Sequence, residues 1–239
     1  GLERLDKADM VHEVTDSQQR HRCIVNDYMR LSPDARKKTL ILSGTNAERL
    51  DLTADLRAAL QAEGSLGADA YRMRSLRSLD RTTAQLKYAC AYAAGDVVVP
   101  VRDYRRYGLE KKVQYTVISR DIESNQVTVR APDGSTISFD PSRCGDKTTY
   151  ATQEIAISQG DQLRWTRNDA AKGIRNGQLV IVKAIDAKGI ATLKDANGET
   201  TTVDLSGQQY LDYALVSTTY SSQGKTADQV LVSTDRTIS

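Results

Sequence analysis

The chain has 239 residues, enough for one large domain or two small ones with a hydrophobic core. Its net charge is only +2 and it has no long apolar run, which excludes a uniformly basic nucleic-acid binder, a membrane-spanning helix and a signal-peptide core. Three cysteines (Cys23, Cys90, Cys144) and two histidines (His12, His21) lie scattered without metal-ligand or disulfide spacing, so neither a zinc site nor a disulfide framework is expected. Scattered reduced cysteines fit a cytoplasmic protein, and both histidines are expected at the surface.

Residues 17–31 read as a helix, with Ile24, Tyr28 and Leu31 at four- and three-residue spacing. Ser32-Pro33 opens a short further turn, because proline suits the first helical position. Thr39-Leu40-Ile41-Leu42-Ser43 is a short apolar run, read as a buried strand. A helix follows at once: Thr45 and Glu48 have capping-box spacing, Leu52, Leu56, Ala59 and Leu60 share a face, and Gly64 is the expected stop. A basic lead-in with helical character comes next, carrying Arg72, Arg74, Arg77, Arg81 and Lys87.

From about residue 97 the pattern changes to period two. Strands are expected at residues 97–101, 114–118, 126–129 and 136–139, with Asp133-Gly134 marking a hairpin turn. The same grammar returns at residues 179–182, 190–193 and 200–203, with Asn197-Gly198 at the matching turn. The two runs read either as two copies of one small five-stranded barrel of SH3 type or as two ordinary hairpins with similar turns. Residues 214–217 then return to a buried strand, followed by a polar loop and a further strand signal at 230–232. The economical architecture is α/β plus all-β: one α/β layer split in sequence (1–66 and 211–239), with insertions at 67–158 and 159–210 between its halves. Both ends of the chain are abrupt, as expected of a piece of something larger.

Near the end stands Thr218-Thr219-Tyr220-Ser221-Ser222-Gln223-Gly224-Lys225-Thr226. Gly224-Lys225-Thr226 imitates a phosphate-binding loop, but Thr219 occupies the position where such a loop needs glycine. Three signatures stand in order: Thr39 to Arg49; Gly160-Asp161-Gln162-Leu163-Arg164-Trp165-Thr166-Arg167-Asn168-Asp169 followed by Asn176-Gly177; and Thr218 to Gly224. Together they resemble the second motor domain of RecD-like superfamily-one helicases, and more narrowly the helicase part of conjugative relaxases of the TraI/TrwC type. The resemblance covers nearly the whole chain. It implies a discontinuous RecA-like subdomain (2A) carrying two SH3-like barrels, 2B and 2B-like.

The resemblance also implies what the chain lacks. The phosphate loop, the acidic magnesium-binding motif and the last arginine motif have no counterpart here, so the 239 residues alone are expected to have no catalytic residues, to hold no cofactor and not to turn over ATP. ATP and Mg²⁺ are expected for the full-length parent, a bacterial cytoplasmic protein driving 5'–3' translocation in plasmid conjugation and exported to a recipient cell. The expected partners are single-stranded DNA, the remaining helicase and relaxase domains, and a type IV secretion coupling protein that would recognise the inserted region as a translocation signal. A vestigial motor that binds DNA without unwinding it is a further reading.

Four groups of residues carry the expected DNA chemistry. Thr218, Thr219, Tyr220, Ser221 and Ser222 offer hydroxyls to phosphates, with Gln223 and Gly224 coupling that contact to the nucleotide; a hydroxyl-rich helix cap is the alternative. Thr45, Asn46 and Arg49 stand at a helix start, which suits a phosphate, although capping explains Thr45 and Glu48 alone. Thr166, Arg167 and Asn168 are expected to face DNA, with Trp165 either stacking a base or lying in the core beside Leu163. Arg102, Arg105, Arg106, Lys111 and Lys112, interleaved with tyrosines, suit DNA, an acidic protein partner or a solvated face.

Overall fold

Residue alternation bounded by turn glycines builds most strands of this protein, and two amphipathic stretches near its start build the main helices. The computed structural model describes residues 14–218 and 226–234. The elements begin with α1 (Ser17–Arg30), α2 (Pro33–Lys37), β1 (Thr39–Ser43), α3 (Asn46–Glu63), β2 (Asp69–Ser78) and β3 (Val97–Pro100). They continue with β4 (Tyr115–Asp121), β5 (Gln126–Arg130), β6 (Thr136–Phe139), β7 (Lys147–Ser158), β8 (Gln162–Trp165) and β9 (Leu179–Ile185). The last are β10 (Ile190–Asp195), β11 (Thr200–Asp204), β12 (Gln208–Gln209), β13 (Leu211–Tyr213), β14 (Val216–Thr218) and β15 (Gln229–Ser233). The chain divides into two compact units, one from the described parts of Gly1–Ala68, Ser158–Leu163 and Tyr213–Ser239, the other from Asp69–Ile157 and Arg164–Asp212.

In the first unit β1 is the middle strand of a parallel sheet ordered β14-β1-β15, with Ile41 opposite both Val216 and Leu231. Stretches far apart in sequence thus lie side by side. Thr45 caps α3 by accepting from the Glu48 amide, and the Glu48 carboxylate accepts from Gly44 N, which it shares with Ser233 O, so the two side chains close the helix start reciprocally. Gly64 ends the helix in the left-handed region at φ 85°, a conformation glycine adopts without a Cβ penalty. Leu52 and Leu56 of α3 pack with Ile41, Val216, Ile24 and Tyr28 to form the core.

His21, expected at the surface, is buried. It falls on the inward face of α1 with Ile24 and Tyr28, and its Nδ1 lies 3.2 Å from Asp55 Oδ2. A partner on the neighbouring helix makes burial of the polar ring affordable, and no pattern within α1 itself announces that partner.

The second unit holds a seven-stranded sheet ordered β12-β2-β7-β3-β4-β5-β6 and a five-stranded sheet ordered β11-β10-β9-β8-β13. The two expected strand runs are the antiparallel meanders β4–β5–β6 and β9–β10–β11. They share turn chemistry: Asp133 accepts from Ser135 N beside Gly134 (φ 87°), and Asp195 accepts from Asn197 N beside Gly198 (φ 89°). Two long strands were not expected. The basic lead-in from Asp69 is β2 rather than helix, and helical character there is limited to two single 3₁₀ turns at Gln85–Lys87 and Ala89–Ala91. β12 pairs in parallel with β2, so strands from both expected insertions meet in one sheet.

One lysine is buried at the start of β7. Lys147 Nζ donates to Pro141 O at 2.8 Å and to Cys144 O, and burial pushes its pKa down to about 8. The folded state therefore carries a penalty for the ammonium below that value. Between about pH 8 and the ordinary lysine pKa of about 10.4 the unfolded chain holds the proton that the folded chain has released, so this residue's contribution to stability rises with pH. Buried Cys144, whose pKa is raised by desolvation and pulled down in part by Lys147, acts in the opposite sense, and its larger cause, desolvation, is common to the wild type and Lys147→Met. Urea unfolding at pH 8 and pH 10 should show the wild type gaining stability relative to K147M; an unchanged difference would refute the buried-ammonium reading.

Candidate nucleic-acid interface

The first unit places part of the expected DNA chemistry at one edge of its sheet. Parallel strands present their carboxyl ends together, the usual place for ligands in such layers. Ser43 at the end of β1 stands opposite Thr218 at the end of β14, and Thr45 and Asn46 follow β1 directly. Thr45 is exposed, but its hydroxyl is engaged in capping. Asn46 and Arg49, which capping leaves unexplained, have a mutual hydrogen bond: Arg49 Nε donates to Asn46 Oδ1 at 2.9 Å. Arg49 is only 1% exposed, so its charge acts within the fold and is not an open positive tip at the helix start. Thr219, Tyr220, Ser221, Ser222, Gln223 and Gly224 lie outside the described residues.

The second unit brings together residues that the sequence keeps far apart. A cavity of about 260 Å³ is lined by Lys112, Trp165, Arg167, Asn168, Lys172 and Tyr210, with Asp169 as its acidic member. β8 supplies Trp165 and leads straight into Arg167 and Asn168. Trp165 is 8% exposed, so it is core-like although it also lines the cavity, and Leu163 two residues before it is fully buried. The loop after it is pinned: Trp165 N donates to Gln178 O, Thr166 N to Tyr210 O at 2.9 Å, and Asn176 N to Asn168 Oδ1 at 2.7 Å. The Thr166 hydroxyl is buried without a partner among the described residues. Arg164 is held away from the cavity by Asp212 at 3.4 Å.

Arg167 Nη1 donates to the Tyr210 hydroxyl at 2.6 Å, and its guanidinium carbon lies 4.8 Å from the centre of that ring. The ring in turn packs edge-on against Tyr150 at 5.3 Å. Burial raises the Tyr210 pKa, against the opposing pull of Arg167, so the phenol stays protonated at neutral pH. Sequence patterning did not single out Tyr210 or Lys172. Tyr210 lies between two short strands and Lys172 in a single 3₁₀ turn, Ala170–Lys172, where no periodicity marks them.

The other basic residues stand on the loop from Val101 to Lys112. Tyr104 and Leu109 bridge across it, Tyr107 N donates to Tyr104 O, and Gly108 N donates to Arg105 O, so Arg105 and Arg106 sit exposed at a tight turn. Arg102 lies 3.1 Å from Asp146 and against the Tyr104 ring, while Arg106 stacks on Tyr107. Lys111 N is taken by Asp103 at 2.7 Å, and Lys112, at φ 66°, turns the chain toward the cavity. Among the described residues there is no cluster of ligands able to hold a metal ion and no helix long and apolar enough to cross a membrane.

No family model matches the chain. It is 24% identical over 210 residues to the multifunctional conjugation protein TraI of Escherichia coli, and 24% identical over 211 residues to that of strain K12. Each match covers 85% of this chain and only 11% of the relative's length. Among solved structures, two coordinating Pif1 helicases at forked double-stranded DNA match with a TM-score of 0.40 and 14% identity, covering 89% of this chain and 40% of that one. Bacteroides Pif1 bound to single-stranded DNA matches with a TM-score of 0.37 and 13% identity, covering 93% and 44%. Over most of its length the chain is similar to a short stretch of these TraI conjugation proteins, in line with the resemblance that its three signatures carry.

Proposed function

We propose that this chain is a single-stranded-DNA-contacting part of a conjugative relaxase–helicase whose full-length form moves along DNA at the expense of ATP. One observation carries this reading: the cavity that gathers Lys112, Arg167, Asn168, Lys172 and Tyr210 from separate regions of the sequence. Cations beside an aromatic ring suit a strand held by its phosphates and stacked on a flat side chain. The carboxyl-end edge with Thr45, Asn46 and Thr218 supplies a second set of hydroxyl and amide groups for the same task. In this reading the five-stranded sheet belongs to the SH3-like insertion that the family resemblance implies.

The test is binding of an oligo-dT strand across a salt series. About four neutralised phosphates give a slope of log affinity against log salt near −3, and removal of one contact in Arg167→Ala or Lys112→Ala makes it shallower by about 0.7. R167A also weakens binding by about tenfold or more, the loss expected for one charge-assisted fork. A flat salt response, or variants indistinguishable from wild type, would sink the proposal.

A second reading is favoured by the exposed Arg105–Arg106 turn, which suits an acidic protein partner such as a secretion coupling protein. The oligo-dT assay, run beside a transfer assay of the full-length protein, separates the two: reversal of both charges that leaves DNA affinity intact while blocking conjugative transfer assigns the turn to protein recognition.

A further inference from the structure

Arg167 is held in an unusual way for a surface cation. Only its Nη1 edge is taken, by the Tyr210 hydroxyl, while Nε and Nη2 meet no protein acceptor among the described residues. The guanidinium is therefore fixed at one end and open at the other. Tyr210 is itself fixed three ways: its carbonyl accepts Thr166 N, its ring abuts Tyr150, and it packs against the cluster of Leu76, Val97 and Val99. A flexible arginine normally loses considerable rotamer freedom when it grips a ligand, whereas here much of that ordering is already present.

We infer that Tyr210 is a positioning residue, which locks the Arg167 side chain so that its free Nε–Nη2 edge presents a ready-made two-pronged fork to a phosphate of the bound strand. The fork geometry is what distinguishes arginine from lysine at such a site, since two parallel N–H groups match two phosphate oxygens. Lys112 and Lys172 also line the cavity as point charges, so among its cations Arg167 is the one that a side-chain hydrogen bond holds in a set direction. Asp169, which also lines the cavity, disfavours a second phosphate beside the first, which points to one phosphate with its attached sugar and base rather than a run of phosphates. The inference rests on the reading of this cavity as a strand-binding site.

The experiment is a double-mutant cycle on the 239-residue chain, with oligo-dT as probe. Tyr210→Phe removes the tether but keeps the ring and its packing. The expected result is a three- to tenfold weaker affinity for Y210F (about the cost of freeing one side chain), with the salt slope unchanged because the charge remains. Y210F added to R167A should then weaken binding no further than R167A alone. A purely structural tyrosine would behave additively, so an additive double mutant overturns the inference. An inert Y210F beside a weakened R167A overturns it as well, while leaving the strand-binding reading in place. If R167A itself binds like wild type, the reading of the cavity fails, and the inference with it. Arg167→Lys supplies an independent arm: loss of affinity despite retained charge is expected, and full retention contradicts the fork.

Discussion

Replacing Arg57 with methionine is expected to destabilise the first unit by about 3–5 kcal/mol, the usual consequence of leaving a buried charge without its counter-ion. Arg57 on α3 is 7% exposed and Asp161 is 4% exposed. The guanidinium reaches the carboxylate through Nε and Nη2, both at 2.9 Å, and Nη2 also donates to Ser158 Oγ at 2.8 Å. Asp161 in turn accepts Ser158 N at 2.6 Å, and the guanidinium lies 5.0 Å from the Tyr213 ring. Methionine keeps the apolar stem but abandons the carboxylate in a dry place. If the penalty is that stranded charge, R57M/D161N should recover a large part of it, because a neutral amide is far less costly to bury. Urea unfolding measures both variants. A loss below about 1 kcal/mol for R57M would mean that the pair is effectively solvated, as exposed ion pairs are.

That pair also explains a limit of sequence reading. Asp161 sits inside a recognised signature, and Arg57 sits on a helix whose apolar face is plain from Leu52 and Leu56. Nothing in either segment says that they meet, because the contact spans much of the chain and has no period. Elements defined by local chemistry were legible: the Thr45–Glu48 capping box, the Gly64 stop, and the short strands flanking Asp133-Gly134 and Asn197-Gly198. The long strands β2 and β7 were not, and their composition is the reason. In β2 the inward positions include Ser75 beside Met73 while Arg72 and Arg74 face outward, so the alternation is arginine against a weakly apolar face. In β7 two of the buried positions are Lys147 and Thr149, which look like surface residues until their partners are known.

The candidate interface divides along the same line. Arg167, Asn168 and Lys112 carry charge or amide groups and were legible as polar chemistry seeking a ligand. Their convergence was not, because it depends on the pinning of the loop after β8 to Tyr210. Arg49 shows the converse. Its charge suggested a phosphate contact, yet the fold turns it inward onto Asn46. Two arginines alike in sequence thus differ in what the fold leaves open: Arg49 is turned inward, whereas Arg167 keeps Nε and Nη2 without a protein acceptor among the described residues.

Gly189→Ala is expected to destabilise the second unit by more than the roughly 1–2 kcal/mol that a left-handed backbone costs any residue with a Cβ. Gly189 turns the chain between β9 and β10 at φ 85°. Its amide donates to Asp186 O, and its carbonyl accepts Leu205 N at 2.9 Å, so the turn cannot relax to negative φ without breaking both bonds. A methyl group there would lie 2.5 Å from Tyr71 Cζ and 2.7 Å from Cε2, well inside contact distance. The Tyr71 ring must therefore swing off the turn and give up its packing there. Gly134→Ala provides the control: φ is 87°, and nothing lies within 4 Å of the added methyl, so only the backbone term applies. The expected order of stability is wild type, then G134A, then G189A. The double variant G189A/Y71A separates the two parts of the cost, because removing the ring relieves the clash and leaves the backbone strain. If G189A and G134A unfold at the same urea concentration, the close approach of Tyr71 contributes nothing to how the β9–β10 turn is held.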